Sequence, residues 1–410
     1  MTIVEFYDKS PINNILSALA CKPQRVIYVG SATKKIAKSL ELFKRFFENR
    51  GVDIELIHYR TANSTIDSMV DTLEKIIADY DDCIFDLTGG KETDLVAIGI
   101  LMQRHRSSIQ CHRINQMNNT IVDCDLDGNV STLHPFDISV EEYIILHGGN
   151  PSVMHNSEIT CNPEKASEAV CQNLEKMWSI CSKNPARWNS LASVFAALNA
   201  YSYSDSSLTL CAYEDDVCRE LARVGIREDE FRRILKRLDT LGLISNYNFT
   251  DYLEFEYSDE VTMQCLSTSG FLLELRIATK IAALRDANGE PIYHDTRVGV
   301  VIDWLKNSSN SEIKVLNEID VITIKDSYPI FISCKNGQVT IDELYKLKTV
   351  ADTFGSAQSK KVLFVSGLSY MGRKGEHLKL RAQLLGIKVI DSLEALSSQN
   401  LNKLLKSLHL

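Results

Sequence analysis

The feature that most constrains the fold is an alternation of short apolar runs and amphipathic helices through the first 150 residues. Residues 26–29 form an apolar run that ends in Gly30 and Ser31, which is typical of a buried parallel strand. Residues 34–49 then repeat apolar side chains at helical spacing. The predicted strands are residues 3–7, 26–29, 54–59 and 83–87, and the predicted helices are residues 12–20, 34–49, 65–80 and 94–104. Repeated β-α units predict a Rossmann-like parallel sheet with helices on both faces, in a domain spanning residues 1–150.

A middle region, residues 151–259, is predominantly helical and resembles a winged helix-turn-helix. A periodic helix at 231–241 precedes two β-like segments, around Tyr247 and at 252–257. A DNA-reading helix needs exposed basic groups, and Arg232, Arg233, Lys236 and Arg237 are candidates. The acidic residues at 228–230 would repel phosphate. The region is therefore either a DNA reader or a spacer or dimerisation module.

The remaining residues, 260–410, predict a second and separate α/β domain. A helix at 270–284 is followed by apolar runs at 299–304, 317–324 and 330–334, then a helix at 341–354 and a run at 361–365. This α-β-β-β-α-β succession differs from the regular alternation at the start of the chain. We therefore predict an α/β protein of three domains.

The charge and the cysteine content of the chain argue against several classes of protein. The chain has 45 Lys and Arg against 54 Asp and Glu, a net charge of −9, which argues against a non-specific nucleic-acid coat. No pair of its 11 cysteines has the CxxC spacing of a zinc ribbon or thioredoxin-type motif. Neither a secretory signal nor an apolar run of about 20 residues is present, so we expect a cytoplasmic protein without membrane contact. One local basic region stands out, comprising Lys360, Lys361, Arg373, Lys374, Lys379 and Arg381.

Glycine-rich and hydroxyl-bearing loops follow two predicted strands of the first domain. In open parallel sheets, ligands bind beyond the carboxyl ends of strands, where glycines permit close approach and helix N-termini attract anions. The loop residues are Thr88, Gly89, Gly90, Lys91 and Thr93 after one strand, and Gly30, Ser31, Ala32 and Thr33 after another. The pattern is neither a Walker A loop nor GxGxxG. Gly89 and Gly90 could instead form only a tight turn, but two such loops favour a phosphate-bearing ligand.

Asp320 and Lys335 lie in consecutive apolar runs of the third domain. A carboxylate and a lysine on neighbouring strands can hold Mg²⁺ or Mn²⁺ and stabilise a reacting phosphate. Glu274, on the preceding helix, is the natural further carboxylate. The alternative is a surface ion pair that contributes at most about 1 kcal/mol.

These residues resemble two known families. Asp320 and Lys335 stand at the acid and lysine positions of the PD-(D/E)XK nuclease superfamily, and the first domain looks like a CARF domain, the cyclic-oligoadenylate sensor of type III CRISPR systems. The resemblance implies a homodimer that binds cyclic tetra-adenylate across its sensor domains and then cleaves DNA, single-stranded or supercoiled, with RNA as an open second substrate. It implies a role in antiviral defence, catalysis by Glu274, Asp320, Ser333 and Lys335, and Mn²⁺ or Mg²⁺ held by Glu274 and Asp320. The sensor loops map to Gly30–Thr33 and Thr88–Thr93, with Ser10 and Pro11 as a further candidate.

One departure from the nuclease pattern concerns Ser333, which stands where the family has Asp or Glu two residues before the lysine. A hydroxyl is a poorer metal ligand than a carboxylate, so the site either borrows Glu318, Glu274 or Glu343 or is weak. Two other functions stay open: a nucleotide-responsive DNA-binding regulator with an inactive nuclease domain, and a repair or restriction nuclease that needs no nucleotide.

Overall fold

The computed structural model describes residues 1–409 except 106–108, 117, 125–127, 135, 154–157, 205, 305–315, 338 and 355–358. Its described residues form three sheets with helices packed around them. The predicted α/β class and Rossmann-like parallel sheet are confirmed. Within the described ranges, none of the helices combines the length and apolarity that a membrane crossing needs.

The first sheet is built from the predicted β-α units. Its elements are β1 (Thr2–Phe6), α1 (Leu16–Cys21), β2 (Arg25–Gly30), α2 (Thr33–Asn49), β3 (Glu55–Arg60), α3 (Ile66–Asp79), β4 (Cys83–Asp86), α4 (Glu92–Arg104), β5 (Gln110–Asn115), β6 (Thr120–Asp123), β7 (Val130–Thr132) and α5 (Val140–Leu146). The strand order is β3-β2-β1-β4-β5-β6-β7, parallel from β3 to β5 and antiparallel beyond. The chain winds outward from β1 to β3 and then crosses to β4, which makes the β1–β4 boundary the switch point of the sheet.

The middle region has the two helices and hairpin expected of a winged helix-turn-helix, joined by a third strand. After β8 (Asn150–Val153), its elements are α6 (Glu158–Cys161), α7 (Glu168–Cys181), α8 (Pro185–Tyr201), β9 (Thr209–Tyr213), α9 (Glu214–Val224), α10 (Glu228–Thr240), β10 (Ile244–Phe249), β11 (Tyr252–Tyr257) and α11 (Glu260–Ser267). The strands pair in the order β10-β11-β9. Apolar side chains of α10 such as Phe231, Leu235 and Leu238 are buried, which explains the stripe in the sequence.

The third sheet combines an antiparallel meander with two parallel strands. Its elements are α12 (Phe271–Ala282), β12 (Asp295–Asp303), β13 (Leu316–Lys325), β14 (Tyr328–Asn336), α13 (Ile341–Thr353), β15 (Lys360–Ser366), α14 (Arg373–Leu384), β16 (Ile387–Ile390) and α15 (Ser398–Lys406). The order is β16-β15-β14-β13-β12-β8, with β14, β15 and β16 parallel. β8 therefore lies at the edge of this sheet, far in sequence from its partner β12.

A continuous apolar core joins the first and third sheets. Buried residues of the first sheet and its helices, such as Tyr28 and Phe43, belong to the same cluster as Phe331 and Leu363 of the third sheet. Polar contacts cross the same boundary: Asp295 Oδ2 accepts a hydrogen bond from the Val140 N–H at 2.7 Å. The two sheets are thus packed directly against each other rather than separated by the middle region.

Candidate functional sites

The predicted ligand loops follow three adjacent strands of the first sheet. Ser10 and Pro11 follow β1, Gly30–Thr33 follow β2, and Thr88–Thr93 follow β4, and these strands pair in the order β2-β1-β4. The carboxyl ends of parallel strands share one edge, so the structure brings the three loops to the same side of the sheet. The β1 and β4 loops flank the switch point, where open α/β sheets bind ligands.

Buried hydrogen bonds fix the loop after β4. The Asp86 Oδ1 accepts from the Thr88 N–H at 2.9 Å and from the Thr88 hydroxyl at 2.5 Å. The Thr88 hydroxyl in turn accepts from the Ile114 N–H at 2.8 Å. The hydroxyl of Thr88 therefore holds the loop in place, while the start of α4 is capped by Asp94, whose Oδ2 accepts from the Lys91 N–H at 2.9 Å. Lys91 itself is exposed and adds positive charge to the loop.

Gly89 and Gly90 are required by close packing as well as by the turn. A Cβ at Gly90 would lie 2.7 Å from the Cβ of Phe6, and its φ of +94° is a conformation that L side chains rarely adopt. A Cβ at Gly89 would lie 3.0 Å from that of Asp8. The β4 loop thus packs directly on the β1 loop. The glycines therefore form a tight turn and also let the β4 loop lie close to the β1 loop. A tight turn at this position does not by itself exclude ligand binding.

The loops after β1 and β2 are held by short polar contacts. The Ser10 N–H donates to Asp8 Oδ1 at 2.7 Å, and the buried Asn14 amide donates to the carbonyls of Asp8 and Ser10 at 3.0 and 2.8 Å. After β2, the Ser31 hydroxyl lies 3.3 Å from that of Ser64, and the Thr33 N–H donates to the Ser31 carbonyl at 2.9 Å. Both loops leave backbone and hydroxyl groups at the sheet edge.

Two buried carboxyl groups lie directly beneath these loops. Glu5 of β1 pairs in register with Asp86 of β4, and they are 1% and 0% exposed. Burial, followed by the charge of Asp86, raises the pKa of Glu5 well above its ordinary value. Burial also raises the pKa of Asp86. Burial therefore disfavours ionisation of both carboxyl groups, and Asp86 anchors the β4 loop through its hydrogen bonds to Thr88.

Sequence reasoning missed Glu5, Asp86 and Asn14 as supports of the ligand loops. The signal was present for Glu5, because an acidic residue interrupts the otherwise apolar run at the start of the chain. Such a residue in a buried strand needs a partner, which marks its position for attention.

Asp320 and Lys335 of the second site lie in direct contact. Asp320 Oδ2 accepts from Lys335 Nζ at 3.1 Å, from the Ser333 hydroxyl at 3.0 Å and from the Cys334 N–H at 2.7 Å. The side chains of Asp320 and Lys335 are 13% and 29% exposed. The pair is therefore partly buried, unlike the surface ion pair that was the alternative. Burial alone would lower the pKa of Lys335, but the carboxylates around it, Asp320 first and then Glu343 and Glu274, together outweigh burial and raise that pKa, so the ammonium stays charged.

Further carboxylates surround this pair. Burial, followed by the charge of Asp320, raises the pKa of Glu274 well above its ordinary value, and the same two causes raise the pKa of Glu318. Glu343 of α13 approaches from another side, with Oε2 at 3.7 Å from Lys335 Nζ. The site is thus a cluster of acidic groups around one lysine, in which mutual repulsion disfavours full ionisation.

A cleft of about 740 Å³ opens over the pair. Its lining includes Glu318, Asp320, Ser333, Lys335 and Glu343. Glu274, on α12, is not among the described residues that line it; its connection to the pair is electrostatic. Across the described part of the chain, no three His, Cys, Asp or Glu side chains converge in a geometry suited to a metal ion.

Several residues of the candidate basic surfaces form contacts within the protein. On α10, Arg232 Nε lies 2.6 Å from Glu228 and Arg233 Nη2 lies 3.0 Å from Asp229. In the basic region between residues 360 and 381, Lys379 contacts Asp391 at 2.8 Å, and Arg381 donates to the Tyr345 hydroxyl. These contacts reduce the charge available to phosphate, and they weaken the case for DNA reading by the middle region.

Comparison with known proteins shows the fold. No protein-family model matches the chain, and no curated protein sequence matches it. It is similar to the solved structure of protein VC1899 from Vibrio cholerae, with 17% identity and a TM-score of 0.72 over 99% of this chain and 97% of that one. It is also similar to Can2 from Sulfobacillus thermosulfidooxidans in complex with cyclic tetra-adenylate, with 16% identity and a TM-score of 0.65 over 100% and 97%. The likeness extends over the whole chain in both cases.

Proposed function

We propose that this chain is a nuclease activated by cyclic oligoadenylate, with cyclic tetra-adenylate as the first candidate. One observation carries the proposal: the chain has both a switch point suited to anions and an acid–lysine pair in a cleft. It has them in a fold similar to that of a protein solved in complex with cyclic tetra-adenylate. The resemblance to CARF nucleases implies a role in type III CRISPR defence in the cytoplasm. We further propose the three domains 1–150, 151–259 and 260–410.

The sensor part of the proposal rests on the loops at the switch point. Backbone amides near Gly89 and Gly90 and the exposed Lys91 favour negative charge at this edge, beside the start of α4, where Glu92 and Asp94 already offset part of the helix dipole. Ser10, Ser31 and Thr93 add hydroxyl groups on the three loops. These groups suit phosphates and riboses of an oligonucleotide, and their distribution over three loops suits a ligand larger than a mononucleotide.

A homodimer would match the symmetry of a cyclic tetranucleotide. Leu95 and Val96 lie on α4 immediately after the β4 loop, and they are 45% and 49% exposed. Adjacent exposed apolar side chains of this kind are suited to burial against a second copy. A two-fold axis beside α4 would place the ligand loops of both protomers around one ligand.

In the nuclease part, we propose that Lys335 stabilises the negative charge that develops on the scissile phosphate. Its ammonium is kept charged by Asp320, and it faces the cleft. The Ser333 hydroxyl, bonded to Asp320 Oδ2 at 3.0 Å, would orient the carboxylate rather than bind metal. Preorganised charge of this kind typically accounts for about 10²–10³-fold in rate per group.

The donor set fits a hard divalent cation. Mg²⁺ keeps several waters and is commonly bound by one or two carboxylates together with substrate phosphates, so convergence of three acidic side chains is not required. Asp320 and Glu274 would hold Mn²⁺ or Mg²⁺, with Glu318 as the neighbouring carboxylate in the cleft. The pKa values of Glu274 and Glu318 are raised first by burial and then by the charge of Asp320, and a bound cation would favour the ionised form of both. When bound, such an ion polarises a phosphoryl oxygen and activates water.

The decisive test is a cleavage assay with and without ligand. Purified protein with Mn²⁺ should cut supercoiled plasmid or single-stranded DNA only when cyclic tetra-adenylate is present, and RNA should be assayed in parallel. Cyclic tri- and hexa-adenylate test the ring size, and Asp320→Asn is the inactive control. Equal cleavage without any nucleotide would favour a repair or restriction nuclease. Sequence-specific DNA binding without cleavage would favour a regulator.

A further inference from the structure

A chain of hydrogen bonds through the buried side chains of Gln116 and Ser327 connects the first sheet with the hairpin that holds the acid–lysine pair. Gln116, just after β5, donates from Nε2 to Asn13 Oδ1 at 2.9 Å. Ser327, in the turn between β13 and β14, donates from its hydroxyl to Gln116 Oε1 at 3.1 Å. Gln116 and Ser327 are 6% and 3% exposed, so water does not readily replace these bonds.

The Asn13 end of this chain lies among the ligand loops. Asn13 belongs to the short 3₁₀ helix Ile12–Asn14 that follows the β1 loop. A Cβ at Gly89 would lie 3.7 Å from the Asn13 Cβ, so Asn13 also borders the β4 loop. The neighbouring Asn14 amide ties this short helix to the carbonyls of Asp8 and Ser10. A ligand that displaces either loop therefore also displaces Asn13.

The Ser327 end lies on the hairpin that holds the acid–lysine pair. The turn is short, because Lys325 of β13 pairs directly with Tyr328 of β14. Asp320 lies on β13, and Ser333 and Lys335 lie on β14. Both strands lie inside the sheet and are hydrogen-bonded to each other, so continuous paired backbone connects the turn with the acid–lysine pair.

We propose that Asn13, Gln116 and Ser327 form a relay through which ligand binding at the first sheet regulates cleavage at the third. This inference rests on the proposed function and names how that function is regulated. Glutamine suits the central position because its amide donates at one end and accepts at the other. Leucine has a similar size but neither group, so Gln116→Leu breaks both bonds with little change in volume.

The test measures coupling separately from binding. Calorimetry gives the Kd for cyclic tetra-adenylate, and fluorescence anisotropy with EDTA gives the affinity for single-stranded DNA with and without that ligand. Cleavage with Mn²⁺ gives the stimulation by ligand. In the wild type we expect the ligand to raise DNA affinity about 5–150-fold, the usual range of allosteric coupling. Gln116→Leu and Ser327→Ala should bring this factor close to one and abolish stimulation, while the ligand Kd stays within about threefold of the wild-type value.

Gln110→Leu is the matched control, because it makes the same change at an exposed position of β5, the strand that Gln116 follows. Full stimulation in both Gln116→Leu and Ser327→Ala overturns the relay, as does a loss of coupling in Gln110→Leu. If Gln116→Leu does not fold, Ser327→Ala decides alone, since it removes one hydroxyl. Wild-type protein that neither binds nor responds to cyclic oligoadenylate refutes the proposed function itself. That failure appears in the unmodified chain, whereas failure of the relay appears only in the variants.

Discussion

Replacement of Lys335 by methionine tests the catalytic assignment most directly. Methionine keeps most of the aliphatic stem and removes the ammonium that lies 3.1 Å from Asp320 Oδ2. At that distance and an effective dielectric constant of about 20, the two charges attract by about 5 kcal/mol. Desolvation of the partly buried groups offsets most of this attraction. Asp320 keeps the Ser333 hydroxyl and the Cys334 N–H as donors, so we expect a loss of about 1–3 kcal/mol in the free energy of unfolding.

The effect on catalysis should be larger than the effect on stability. Without Lys335, the developing phosphate charge loses its stabilising cation, and the cleavage rate should fall about 10²–10³-fold. The pKa of Glu274 should rise further, because Lys335 lowers it in the wild type. The Kd for cyclic tetra-adenylate should not change, because Lys335 lies on β14 of the third sheet and not at the loops of the first sheet.

The assay compares plasmid cleavage, urea unfolding and ligand calorimetry on the same preparation. Lys348→Met is the matched control, because Lys348 is an ion-paired lysine on α13 that does not line the cleft. Cleavage by Lys335→Met at the wild-type rate would refute the role of Lys335. Loss of cleavage in both variants would show that the effect is not specific to the acid–lysine pair.

Three further predictions concern other parts of the molecule. Burial raises the pKa of Glu274, so its carboxyl stabilises the fold below its ordinary pKa, and this stabilisation is lost as the pH rises through the folded-state pKa. Glu274→Gln should therefore increase the free energy of unfolding, measured in urea, at about pH 8 but not at about pH 4. The same substitution should abolish cleavage. Gly90→Ala should cost about 1–3 kcal/mol in thermal unfolding and weaken calorimetric binding of cyclic tetra-adenylate, because of its positive φ and the contact with Phe6. Joint replacement of Leu95 and Val96 by lysine should reduce the mass in sedimentation equilibrium to that of one chain, and an unchanged dimer would exclude α4 as the interface.

The periodicity of apolar residues predicted helices and strands well where the apolar positions in the sequence are also the buried ones in the structure. The run at 26–29 became β2 (Arg25–Gly30), and the stripe at 34–49 became α2 (Thr33–Asn49). The predicted helix at 12–20 was wrong in its first half, where a 3₁₀ turn at Ile12–Asn14 precedes α1. The reason is the side chain of Asn14, which binds the preceding loop instead of facing solvent on a regular helix. β8 was also missed, because four residues carry little periodic signal and their pairing with β12 is long-range.

The residue types in the sequence indicated the positions of the candidate sites, but they did not indicate the contacts that hold the site residues in place. The glycines after β4 and the pair Asp320 and Lys335 are visible in the sequence, since each breaks an apolar run with chemistry that a core does not need. The partners of these residues are distant in sequence. Thr88 is fixed by Ile114, and Gln116 reaches Ser327 across the boundary between two sheets. Such pairings depend on how the sheets pack, which one sequence does not specify.

The hydrogen bonds of Asp320 bear directly on how cleavage would be controlled. In this structure one oxygen, Oδ2, already accepts from Ser333, Cys334 and Lys335. A phosphate approaching Lys335, or a cation approaching that oxygen, must compete with these bonds. A site whose charged groups satisfy one another is expected to react slowly until the strands that carry them shift. Asp320 and Lys335 lie on the two strands joined by the Ser327 turn, so a displacement of one strand along the other would alter the distance between acid and lysine. The serine at position 333 then has a physical role, because a carboxylate at that position would repel Asp320, whereas the hydroxyl holds it in place.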